Sequence, residues 1–128
     1  MSSGTDKKRI LLVDYDEIHL SITVNMLKEQ YDILTAKSGR EAIDFFYQGL
    51  FPDLVLLDII MPTMDGWELF NRIKAISLLK EIPVLFFTAV KDESAERQAY
   101  GLGATDYIMK PCDQADLLNR VSLALGME

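Results

Sequence analysis

The chain is poor in the residues that staple or metallate small proteins: it holds one cysteine, Cys112, and one histidine, His19, among 128 residues. One thiol excludes an internal disulfide, and a lone thiol with a lone imidazole does not make a zinc site. Positive charge is also short, with 13 Lys and Arg against 20 Asp and Glu and a formal charge of −7. That balance argues against a surface built to neutralise phosphates, so no direct nucleic-acid partner is expected. Long apolar runs are missing: none approaches the ~20 residues of a bilayer-spanning helix, and the N-terminus has no apolar stretch of a secretory signal. No membrane partner is expected, and the expected location is cytoplasmic. No internal repeat is visible. What remains is 49% apolar residues in a length suited to one hydrophobic core, which predicts one domain.

What is there alternates strand with helix. Residues 1–8 are small and polar without periodicity and read as a loose leader; residues 9–126 read as the domain. Short apolar runs predict strands at Arg9–Val13, Ile33–Ala36, Asp53–Leu57, Pro83–Phe87 and Asp106–Met109. A first helix is predicted to run to about Glu29. Ser38 and Glu41 stand at capping-box spacing and open a second, which Gly49 and Pro52 break. A third is expected over Gly66–Ile76, and a charged fourth over Asp92–Leu102, closed by Gly103. Asp113 is expected to cap a fifth, whose apolar stripe includes Leu117, Val121 and Leu125. Strand-helix alternation five times over implies parallel strands joined by right-handed crossovers: an α/β, doubly wound sheet with helices on both faces.

In such sheets chemistry sits at the carboxyl ends of the strands. The first predicted strand ends in Asp14 and Asp16, the third in Asp58, the fourth in Thr88 and the fifth in Lys110. Carboxylates gathered at one edge repel each other unless a hard cation sits among them, and Mg²⁺ takes such oxygen ligands together with waters. With an ammonium and a hydroxyl added, these are the parts that stabilise a transferring phosphoryl group. Single residues read more plainly: Asp58 alone would be a helix cap, Lys110 a solvated charge, Thr88 and Tyr107 ordinary strand residues. His19 reads as helix surface or flank, Cys112 as an inert small apolar residue, and Met61 and Met64 as loop packing.

From about Arg9 to Leu125 the chain resembles the receiver domain of two-component response regulators. The resemblance rests on the acidic cluster at Asp14, on Asp58 within Leu-Leu-Asp-Ile-Ile-Met-Pro-Thr-Met-Asp-Gly, on Thr88-Ala89, and on Gly-Ala-Thr-Asp-Tyr (103–107) running into Lys110-Pro111. It implies a flavodoxin-like sheet of strand order 2-1-3-4-5 with five helices. It implies that Asp58 is the phospho-acceptor, served by a sensor histidine kinase or phosphotransfer protein, and that the domain catalyses its own phosphorylation and dephosphorylation there. The implied Mg²⁺ (or Mn²⁺) ligands are Asp14, Asp58 and the Ile60 backbone carbonyl, with Asp16 as a further candidate. Lys110 would pair with a phosphoryl oxygen, Thr88 and the neighbouring Ala89 would serve the phosphoryl group and the switch, and Tyr107 would swing inward behind Thr88. The Lys110–Pro111 peptide is expected to be cis. The fourth helix, fifth strand and fifth helix would present the switched face to a downstream effector protein or domain, or to a second copy in a dimer.

One position departs from the pattern: receivers carry two adjacent acidic residues after the first strand, and here the second is Tyr15. A phenol is a poor Mg²⁺ ligand at neutral pH. That sets an alternative beside active phosphotransfer, a pseudo-receiver that only docks proteins. Asp14-Tyr15-Asp16 also resembles the nucleophile motif of haloacid-dehalogenase-like phosphatases, but Ile18 stands where that motif needs Thr or Val. A flavodoxin-like cofactor binder would need a phosphate-cradling loop where the acidic run 14–17 stands. Two further expectations concern packing. The resemblance to receivers also implies that Ile60 and Val90, two residues beyond Asp58 and Thr88, flank the path of a hydrolytic water, and being apolar they should orient none. The apolar arc of the first helix is too wide for one buried stripe. The resemblance to receivers implies Ile22, Met26 and Leu27 on the apolar side and Leu20 and Val24 at least partly exposed, as a partner or dimer contact near the site. The alternative is that these two pack against a neighbouring helix.

Overall fold

The computed structural model describes residues 7–126. The expected leader lies outside the described residues except for Lys7 and Lys8. These two precede the first strand as exposed coil, and the Lys8 carbonyl accepts from the Asp32 N–H (3.0 Å).

Five strands form one parallel sheet: β1 (Arg9–Val13), β2 (Asp32–Ala36), β3 (Leu54–Leu57), β4 (Val84–Thr88) and β5 (Asp106–Met109). Their order is β2-β1-β3-β4-β5, with Leu12 beside both Thr35 and Leu56, and Phe86 beside both Leu57 and Tyr107. The expected architecture stands. The helices are α1 (Glu17–Leu27), α2 (Gly39–Tyr47), α3 (Gly66–Lys74), α4 (Glu93–Leu102) and α5 (Gln114–Ala124), with a short 3-10 helix at Ser77–Leu79. Strand pleating divides the apolar residues between two cores. Leu11, Val13, Val55 and Phe86 meet Phe46, Phe70 and Ala99 of α2, α3 and α4. Ile10, Leu12, Leu56 and Leu85 meet Leu20 and Leu27 of α1 and Leu117 and Val121 of α5.

Side-chain caps start the helices where the sequence placed them. Ser38 Oγ accepts from Glu41 N–H (3.1 Å) while Glu41 reaches back to Lys37 N–H (2.8 Å), one residue before the usual capping-box target. Asp113 accepts from Asp116 N–H (2.8 Å). Gly103, at φ 104, closes α4 in a left-handed conformation that glycine adopts without strain. α1 and α3 end two residues earlier than expected, with Lys28 and Ala75 as their C-caps.

The expected phase of α1 is corrected. Leu20 is buried where partial exposure was expected, and Ile22, expected on the apolar side, is 49% exposed beside Ile18 at 71%, whereas Val24 is half-buried as expected. The buried stripe is Leu20, Thr23 and Leu27, an i, i+3, i+7 set whose middle member is polar. Thr23 is tolerated there because its hydroxyl donates to the His19 carbonyl one turn back (2.8 Å), so no polar group is left unmatched. The exposed apolar residues of this helix are therefore Ile18 and Ile22.

Candidate functional site

The carboxyl edge of the sheet brings the strand-end residues together. Asp14 follows β1 and Asp58 follows β3; Thr88 closes β4, and Lys110 follows β5. Backbone bonds extend the sheet through them: Asp58 N–H donates to the Val13 carbonyl (2.9 Å), and Lys110 N–H to the Thr88 carbonyl (2.9 Å). The Lys110–Pro111 peptide is cis.

The Lys110 ammonium donates to Asp14 Oδ2 and, at 3.3 Å, to Asp58 Oδ2, and it lies 5.4 Å from the centre of the Phe87 ring. Asp14, Lys110 and Thr88 are buried, while the Asp58 side chain keeps 13% of its surface open. The remaining carboxylate oxygens are also engaged. Asp14 Oδ1 accepts from Asp16 N–H (2.9 Å), and Asp58 Oδ1 from Ile59 N–H (2.7 Å). Burial pushes the Asp14 carboxyl above its usual range, against the opposing pull of Lys110.

The loop after Asp58 is shaped by a close approach. Gly66 N–H donates to the Ile59 carbonyl (2.8 Å), and a Cβ at Gly66 would collide with the Asp58 carbonyl oxygen. Between them Thr63 sits at φ 71, unusual for a β-branched residue, with Met64 N–H donating to the Pro62 carbonyl (2.8 Å) across a three-residue turn. Met61 is buried, and Met64 packs beside Gly39 at the start of α2. Ile60 is 70% exposed, and among the described residues no N–H donates to its carbonyl oxygen.

Around Asp58 lies an open cavity of about 180 Å³, lined by Asp14, Lys110 and Thr88 below and by Tyr15, Ile60 and Ala89 at the rim, with Asp16 and His19 to one side. Asp16 caps α1. Its carboxylate accepts from Ile18 N–H (2.9 Å) and His19 N–H (3.3 Å), bonds from His19 and Ile18 that hold its pKa below the ordinary range. His19 Nδ1 stands 3.5 Å from Asp16 Oδ2. The sequence placed this imidazole on a helix surface; its position three residues past the Asp16 cap, on the first turn above the site, was the signal available.

Two residues lie elsewhere than expected. Val90 does not line the cavity; it is half-buried against the core. Its carbonyl accepts from the Tyr107 hydroxyl (2.7 Å), so the Tyr107 ring already lies inside, 3% exposed, rather than waiting outside. Beyond His19, Ala89 and Lys110 a second, apolar groove of about 300 Å³ opens between α1 and the loop after β5, lined by Ile22, Met26, Pro111 and Cys112. No described helix is long and apolar enough to cross a membrane.

Comparison with known proteins places these features in a family. The model of the response regulator receiver domain matches residues 10–122. The chain is similar to a probable cyclic di-GMP phosphodiesterase of Vibrio cholerae, 39% identical over 113 residues that make up 88% of this chain and 25% of that protein. It is similar to the transcriptional regulatory protein CrdR of Helicobacter pylori, 38% identical over 117 residues, 90% of this chain and 54% of that one. The chain thus spans from about a quarter to about half the length of these relatives. Among solved structures it is similar to a putative response regulator from Chloroflexus aurantiacus, with a TM-score of 0.88, 33% identity, and coverage of 94% of this chain and 99% of that one.

Proposed function

From the premise that the chain belongs to the response regulator receiver domain family, we propose that it accepts a phosphoryl group on Asp58 and relays the change to a partner. The donor is a phosphohistidine on a sensor histidine kinase or phosphotransfer protein. A carboxylate oxygen of Asp58 attacks phosphorus, the P–N bond breaks, and the imidazole leaves. Residues 9–126 act as the receiver unit.

The observation that carries this reading is the ammonium of Lys110, bonded to both Asp14 and Asp58 at the open end of the sheet. It is placed to follow negative charge from the Asp58 carboxylate to an incoming phosphoryl oxygen. Thr88, fully buried at the end of β4, accepts from Val90 N–H (3.3 Å). A move of its hydroxyl toward the phosphoryl group would release that bond, pulling on the loop that also holds Tyr107. Asp106 ties the same region together: it accepts from Arg120 of α5 through both oxygens (3.1 Å each) and from Tyr100 of α4 (3.2 Å). The face made by α4, β5 and α5 is the proposed output surface for an effector or a second copy.

The donor set suits Mg²⁺, or Mn²⁺: two carboxylates, Asp14 and Asp58, and the free Ile60 carbonyl are all hard oxygens. Bound there, the ion would neutralise charge on the transferring phosphoryl oxygens. Asp16, occupied with the α1 cap, and Tyr15, which carries no carboxylate, leave the set at two carboxylates. This shortfall favours a second reading, a pseudo-receiver that docks partners without accepting phosphate. The apolar groove beside the site, with Ile22 and Met26, supports docking under either reading, since it adjoins the cavity around Asp58 at His19, Ala89 and Lys110. Incubation with a small acyl phosphate and Mg²⁺, followed by intact-mass analysis, separates the two. The phospho-acceptor reading expects a Mg²⁺-dependent gain of about 80 Da, one phosphoryl group; an unchanged mass supports the docking module.

A further inference from the structure

The cavity above Asp58 has a polar floor and an apolar rim. Below stand Asp14, Asp58, Lys110 and Thr88; at the mouth stand Tyr15, 61% exposed, and Ile60, 70% exposed. Two large apolar side chains held in solvent at the entrance of a charged pocket call for an explanation. Tyr15 is the less expected, since it donates to and accepts from no described side chain while its neighbours on both sides are fully engaged.

An acyl phosphate on Asp58 is lost when a water oxygen attacks phosphorus. The P–O bond to Asp58 breaks, the carboxylate leaves, and the water's proton passes to solvent as inorganic phosphate departs. A group that accelerates this step would hold the water by hydrogen bonding. The carboxylates near the entrance are committed: Asp14 to Lys110 and Asp16 N–H, Asp16 to two N–H groups of α1 and the nearby imidazole. Thr88 is fully buried, and Val90 stands outside the lining altogether. Of the other lining residues, Ala89 is small and the His19 imidazole stands to one side against Asp16, so the large side chains that bound the approach of water at the mouth are Tyr15 and Ile60.

We propose that Tyr15 is a shielding residue, whose ring, at the cavity mouth opposite no polar partner, excludes water from phosphorylated Asp58 and sets the lifetime of the phospho-state. This deepens the proposed function and rests on Asp58 as the acceptor. The role belongs to the breadth of the ring and not to its hydroxyl, so Phe or Leu serves where Ala does not.

The test uses the whole chain, phosphorylated with a small acyl phosphate and then freed of donor, at Mg²⁺ high enough to saturate every variant. Decay of the adduct is followed by intact mass. Tyr15→Ala is expected to shorten the lifetime roughly threefold or more. Tyr15→Phe and Tyr15→Leu are expected to decay as the parent does, and all three to melt at the parent temperature because the side chain is exposed. Decay of Tyr15→Ala at the parent rate, or of Tyr15→Phe as fast as Tyr15→Ala, overturns the proposal while leaving Asp58 as acceptor. A parent chain that gains no adduct overturns both.

Discussion

One ammonium, Lys110 Nζ, bridges Asp14 and Asp58, so the two carboxylates at the sheet edge share a single positive partner. The pair is buried, and a buried charge without its partner is costly. Phosphorylation would draw Lys110 toward the new phosphoryl oxygens and away from this bridge. Lys110→Ala is expected to leave metal binding nearly intact, because both carboxylates remain. It should break the link between phosphorylation and conformational change. Amide exchange over the loop after β4 checks this: protection there should respond to phosphorylation in the parent and not in the variant.

Tyr15 limits the charge available to a cation. Tyr15→Asp adds a carboxylate beside Asp14 and should tighten Mg²⁺ binding by about tenfold, equivalent to ~1.4 kcal/mol. Phosphorylation from small donors should speed up with it. Trp67, the only tryptophan, follows the Asp58 loop and packs on Phe86 with centroids 4.9 Å apart, so its fluorescence can follow the titration. Equal Mg²⁺ affinity in parent and variant would show that position 15 does not reach the ion.

Gly66 lets α3 begin against the backbone of Asp58 and Ile59. A Cβ there would lie 2.8 Å from Ile59 Cα as well as against the Asp58 carbonyl oxygen, all of it backbone. Gly66→Ala should therefore lower stability by about 1–3 kcal/mol, as overpacking does, and displace Asp58. Chemical denaturation measures the first effect, and the phosphorylation rate the second.

Cys112 should be a slow thiol despite its partial exposure. Burial, and after it the hydrogen bond to Asp116 (3.3 Å), pushes its pKa up to about 11. An ordinary thiol titrates near ~8.5, so the thiolate fraction at neutral pH should be lower by roughly 300-fold. Alkylation by iodoacetamide should be correspondingly slow at pH 7.5, rising tenfold per pH unit until about pH 11. Asp116→Asn should raise the rate at fixed pH.

The sheet and its order could be read early because the strands are apolar runs bounded by strong punctuation. Pro52, Pro83, Gly103 and the capping residues Ser38 and Asp113 all act where their backbone chemistry requires. The strand-end residues were legible for the same reason: each is the first polar residue after a buried run. The phase of α1 was not legible. Ile18, Leu20, Ile22 and Val24 fill too wide an arc, and the buried stripe passes through Thr23, whose local bond to His19 no apolar pattern records. Nor did the sequence separate Tyr15 from Val90 as the second wall of the cavity beside Ile60. The resemblance to receivers implied Val90, but the backbone turns its side chain to the core, and Tyr15 stands at the rim instead.

The acceptor can be located directly. Borohydride reduces an aspartyl phosphate to homoserine, so peptide mass analysis of the trapped protein identifies the residue that carried the phosphoryl group. After incubation with a small acyl phosphate and Mg²⁺, homoserine is predicted at position 58 and nowhere else, and Asp58→Asn should gain no adduct. Homoserine at position 14 or 16, or an adduct that survives Asp58→Asn, would contradict the account.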